Sequence, residues 1–204
     1  MKKIIAVVLL MGAALDDVCA ELFTFDLVNK NGASWDGASS GVCTNAGSGL
    51  TLEAAMFAYL NGSYSFGSQL NSTATEFGMN AAGAGDATSL FDTVNGQEAL
   101  WVSFNRAVTV KSIAVSSFTG GNVETGAYQV ASGSLVNFTA SGTYTIDAAL
   151  NQGSYFKVIA MNTGGGNGWI LNSFTVEAVP EPATASLAAL GGLMAWVVRR
   201  ASRK

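Results

Sequence analysis

The residues best suited to chemistry sit in one Gly-rich stretch, "NAAGAGDATSLFD", where Asn80, Asp86, Thr88 and Asp92 offer hard oxygen ligands. Backbone carbonyls of such a loop complete the shell that Ca²⁺ prefers, so structural calcium is the one ion this segment would suit. Its spacing departs from the helix-loop-helix calcium motif, and Asp and Asn also serve simply as turn formers. Asp86 and Asp92 are also the pair that could flank a glycosidic bond, yet isolated loop acids are usually solvated. The chain has no histidine. That removes the usual general base, the Ser-His-Asp triad and most zinc sites together. The expectation is therefore a protein that is not an enzyme and needs no cofactor beyond a structural calcium ion.

Aromatic residues offer a second chemistry. Trp35, Tyr59, Tyr64, Trp101, Tyr128, Tyr155 and Trp169 include candidates for a platform on which sugar rings stack. Trp101 and Trp169 lie inside strand patterns, where core packing is the expectation. The run "GGGNGW" before Trp169 resembles a phosphate-binding loop only in its glycines: a strand follows it, so the helix N-terminus that holds phosphate is absent.

Whatever these residues do, short strands must position them. Only 12% of the 204 residues are charged and 24 are glycine, which is not the composition of a helical bundle. From Leu22 the run "LFTFDLV" alternates, with Phe23, Phe25 and Leu27 on one face and Thr24 and Asp26 on the other. Similar runs recur at "EALWVSF", "VTVKSIAVSSF", "AYQVAS", "LVNFTA", "TYTI", "SYFKVIAM" and "GWILNSFTVEA", with turn residues between them. That rhythm predicts an all-β fold, an antiparallel β-sandwich or jelly roll, over residues 21–178. The run "GLTLEAAMFAYL" fits both a strand and a helical spacing, and "FGMNAAGAGDATSLFDTVNGQ" reads as a long loop.

Charge is distributed unevenly. Between Glu21 and Glu177 there are four basic residues against eleven acids, a net of −7. Such a body repels phosphate backbones, so nucleic acid is excluded as a partner.

The two ends differ from this body. "MKKIIAVVLLMGAALDDVCA" opens with two lysines, continues with an apolar run and closes on small residues, the three parts of a secretory signal peptide over residues 1–20. Removal after Ala20 would leave Cys43 as the single thiol, read as a small core hydrophobe. At the other end Pro180 and Pro182 flank Glu181, which makes a stiff, extended spacer. Residues 183–198 then run uncharged for about 24 Å if helical, at about 1.5 Å per residue, somewhat short of the ~20 residues that span a bilayer. Arg199, Arg200, Arg203 and Lys204 follow as a stop signal retained on the cytoplasmic side. The segment is expected to be a single transmembrane helix that meets the membrane through 183–198.

In its order and terminal position, "VPEP", then an apolar run, then "RR", this tail over residues 179–204 resembles the PEP-CTERM sorting signal of bacterial exported proteins. The resemblance implies recognition through Pro180, Glu181 and Pro182 by an exosortase, a membrane-embedded cysteine transpeptidase that cuts near the motif. It also implies an exported protein, anchored transiently in the inner membrane and then found at the cell surface or in the extracellular matrix. The stretch from Met79 to Phe118 is similar to β-sandwich ectodomains that precede such tails, which implies extracellular polysaccharide as a partner and no catalytic residues. A carbohydrate-binding module of jelly-roll type, using the Asp86 loop and aromatics, is the alternative reading.

Overall fold

The computed structural model describes residues 20–30, 32–47, 50–64, 68–81, 90–93, 95–118, 124–162 and 168–178, with Trp196, Arg199 and Arg200 beyond them. Glu21–Ala178 forms one compact unit. Its described elements are strands: β1 (Leu22–Asp26), β2 (Ser40–Ala46), β3 (Thr51–Leu60), β4 (Ser63–Tyr64), β5 (Ser68–Ser72), β6 (Phe77–Ala81), β7 (Glu98–Phe104), β8 (Val108–Ser116), β9 (Thr125–Val130), β10 (Val136–Phe138), β11 (Gly142–Leu150), β12 (Phe156–Asn162) and β13 (Ile170–Ala178).

All pairings are antiparallel. One sheet has the order β1-β13-β8-β11; a larger one runs β10-β9-β12-β7-β3-β2, with β4 added to β3; and β5 pairs with β6 alone. The first sheet follows directly from the alternation in the sequence. Phe23, Phe25 and Leu27 are buried while Thr24 and Asp26 face solvent, as a period of two requires. The two larger sheets face each other across one core. Phe25 and Phe174 of the first stack with centroids 4.9 Å apart, and Phe104 and Phe156 of the second close on them at 6.0 and 6.3 Å.

The run from Leu50 to Leu60 settles as strand rather than helix. Leu52, Ala54, Met56 and Ala58 are fully buried on one face, and β3 is hydrogen-bonded to β2 on one side and β7 on the other. Tertiary pairing on both flanks outweighs the local helical spacing. The stretch expected to be one long loop begins instead with β6, and its Leu90 and Phe91 form bridges to Met79 and Trp169. Glycine permits that close approach: a Cβ on Gly78 would lie 2.4 Å from the backbone of Leu90.

Loops and the small hairpin cap the core through polar contacts. The Ser72 hydroxyl donates to the Leu27 carbonyl (3.0 Å) and accepts from the Lys30 amide (3.0 Å), while the Asp36 carboxylate accepts from the Ser72 amide (2.9 Å). Trp35 meets Phe77 edge-on at 5.5 Å. At the far end of β3, Asn61 and Gly62 both have positive φ, 52° and 75°, as a type I′ hairpin turn demands.

Candidate functional site

The residues singled out by the sequence fall in two places. Of the loop set, Asp86 and Thr88 lie outside the described residues. Asn80 is half-buried in β6, opposite Gln69. Asp92 follows the Phe91–Trp169 bridge and is 1% exposed, its amide donating to the Glu98 carboxylate at 2.9 Å. Two further acids that alternation did not flag, Glu98 and Glu124, are buried as well. Among the described residues no three acidic or sulfur ligands converge as they would around a metal ion.

The tail is the second place. Pro180, Glu181, Pro182, Arg203 and Lys204 lie outside the described residues, as do residues 183–198 except Trp196, and residues 1–19. Trp196, Arg199 and Arg200 are helical and exposed, and the Arg200 guanidinium stands 5.1 Å from the Trp196 ring centroid, one helical turn away. Among the described residues no helix is long and apolar enough to cross a membrane.

Cys43 is half-buried on β2 against the margin of the core and has no disulfide. Burial pushes its thiol above the ordinary range; Lys30 pulls it down and Asp26 adds to the rise. The thiolate is therefore scarce near neutral pH, which suits a packing role rather than a reactive one.

The aromatics divide in a way the strand pattern did not foresee. Trp169 is fully buried, stacked on Phe91 at 4.6 Å and meeting Phe138 edge-on at 5.1 Å. Trp101, expected in the core, is half-buried on the outer face of the larger sheet, since Leu100 and Val102 on either side of it take the inward positions. There Tyr59 stacks on it at 4.1 Å and the Lys157 ammonium stands 4.0 Å from its ring. Tyr155 leans against it, tilted by 58° at 5.2 Å. The alternation identifies which residues share a face but not which face is inward, and Trp101 shows the difference.

With these positions established, similarity to known proteins bears on the tail alone. Residues 178–204 match the PEP-CTERM protein-sorting motif. No curated protein and no solved structure matches the chain.

Proposed function

We propose that this chain is an exported, non-enzymatic passenger, sorted through Pro180–Glu181–Pro182 by an exosortase-type membrane transpeptidase and then displayed at the cell surface or released into the extracellular matrix. The observation that carries the reading is the sorting motif at residues 178–204. Around it the parts take consistent roles. Residues 1–20 act as the leader. The two facing sheets of Glu21–Ala178 are the layers of a jelly-roll sandwich that serves as cargo. Residues 183–198 hold the chain in the inner membrane, with Arg199, Arg200, Arg203 and Lys204 kept on the cytoplasmic side. A chain without histidine is suited to recognition and assembly more than to acid–base catalysis.

Intact mass with terminal sequencing of protein recovered from the cell surface and from the medium tests this. The expected mature form begins near Glu21 and ends near Pro180–Pro182. Surface material that uniformly retains Lys204 would make the tail a plain anchor and overturn the processing step.

A further inference from the structure

We propose that the outer face of the larger sheet carries a binding site for acidic polysaccharide, centred on Trp101, Tyr155 and Lys157. The proposal goes beyond sorting, and it places carbohydrate recognition on a sheet face rather than on the Asp86 loop.

The strand register builds the site. Phe57 of β3 pairs with Trp101 of β7, Trp101 with Lys157 of β12, and Lys157 with Gln129 of β9, so these four side chains form one row across four strands. Tyr59 stacks on Trp101 from the next outward position of β3, and Tyr155 touches both Trp101 and Phe57. Against this row lies an open hollow of about 490 Å³, with Trp101 and Tyr155 as aromatic walls and Gln129, Ser132, Ser154 and Lys157 as polar lining. That volume falls within the ~300–1,000 Å³ usual for ligand sites.

Its chemistry matches a sugar ring bearing a carboxylate. A pyranose has apolar C–H faces that pack on aromatic rings and hydroxyls that need donors and acceptors at its rim; Tyr155 supplies the ring and the polar lining supplies the partners, while Trp101, its faces taken by Tyr59 and the Lys157 ammonium, holds the cation in place. The cation decides the charge of the ligand. Lys157 donates to the Gln129 amide oxygen at 3.2 Å, and Gln129 is itself held by its amide nitrogen, which donates to the Gly133 carbonyl at 2.9 Å. An ammonium has three N–H donors; among the described residues this one gives a hydrogen bond to the neutral Gln129 and faces the Trp101 ring. Among the described residues no carboxylate pairs with it, whereas Lys111 is paired with Asp147 and Glu177. The body's net charge of −7 repels polyanions at long range, so binding rests on this one positioned cation meeting a sugar carboxylate at contact distance.

Affinity electrophoresis of the full chain in mild detergent, through gels containing polygalacturonate, alginate or hyaluronate, tests the assignment without requiring that the tail be cut. Retardation is expected in at least one of the three. Lys157→Gln should weaken it roughly five- to tenfold, as loss of one charge-assisted contact does, and Tyr155→Ala by a comparable factor. For polygalacturonate, methyl esterification should have the effect of Lys157→Gln, because it removes the anion while leaving the rings in place. Unfolding midpoints of both variants close to that of the parent chain would show that the fold is intact. Unretarded migration of the folded parent chain in all three polymers, or equal retardation of the Lys157→Gln variant, would overturn the proposal. Neither result bears on sorting, which is read from the termini.

Discussion

Trp169 shows what a single residue contributes to this core. Its ring lies between Phe91 and Phe118, nearly parallel to both, at 4.6 and 5.9 Å, and its backbone exchanges two hydrogen bonds with Phe91. Its indole N–H is buried and, among the described residues, finds no hydrogen-bond partner. Two costs can therefore be separated by substitution. Trp169→Ala should lower the free energy of unfolding by about 3–5 kcal/mol through the cavity it leaves. Trp169→Phe should cost less than half of that, because it keeps most of the ring and removes the unsatisfied donor. Urea unfolding curves of the full chain would show this; equal losses for the two variants would mean that the indole nitrogen is stabilising. At this scale the sequence was readable wherever polar and apolar residues alternate strictly, as at Phe23, Phe25 and Leu27. It was not readable at Asp92, Glu98 and Glu124, because burial of a carboxylate depends on donors contributed from elsewhere in the chain, such as the Asp92 amide for Glu98.

Among the elements, β11 illustrates how one irregular residue sets the position of a strand. Its pairing with β8 shifts register between Thr145 and Ala148, and Asp147 within that step adopts φ 53°. The bulge turns the Asp147 carboxylate onto Lys111, which also reaches Glu177 on β13. Asp147, chiefly, holds the Lys111 ammonium above its ordinary pKa of 10.5. The sign follows: the pair's contribution is complete below the ordinary lysine pKa and is lost as pH rises through the higher native value. The backbone makes the larger demand. A β-branched residue pays about 1–2 kcal/mol for the left-handed conformation, which Asn and Asp tolerate. Asp147→Val should accordingly lower the thermal midpoint by several degrees, and Asp147→Asn by much less, since an exposed ion pair stabilises little. Equal shifts for the two would assign the effect to charge instead of φ. Strands with one apolar face were legible in advance. Those that escaped, β2 with "SGVCTNA", β5 with "SQLNS" and β6 with "FGMNA", lie at a sheet margin, pair in a small separate hairpin, or approach another backbone too closely for ordinary side chains. They are strands because a partner supplies hydrogen bonds, and a partner cannot be seen in a local pattern.

For the whole molecule, the sorting reading predicts that processing depends on the motif and is indifferent to the sheets. Glu181→Ala, or Pro180 and Pro182 changed together to Ala, should leave most of the chain at full length in the membrane fraction, as measured by intact mass, with the unfolding midpoint unchanged. Normal trimming of these variants would detach cleavage from the motif. The sequence by itself determined the tail, since Pro180–Glu181–Pro182, an uncharged run and a basic end are a linear signal read in order along the chain. It also determined the all-β class and its antiparallel habit, because a period of two and frequent turn residues are local properties. Only the tertiary structure decided that Trp169 is core while Trp101 stands outside, and that Phe57, Trp101, Lys157 and Gln129 form one row. Alternation specifies two faces and leaves open which one is buried. That choice, and every cross-strand neighbour, is made when sheets pair in register and bury the face that removes the most apolar surface from water.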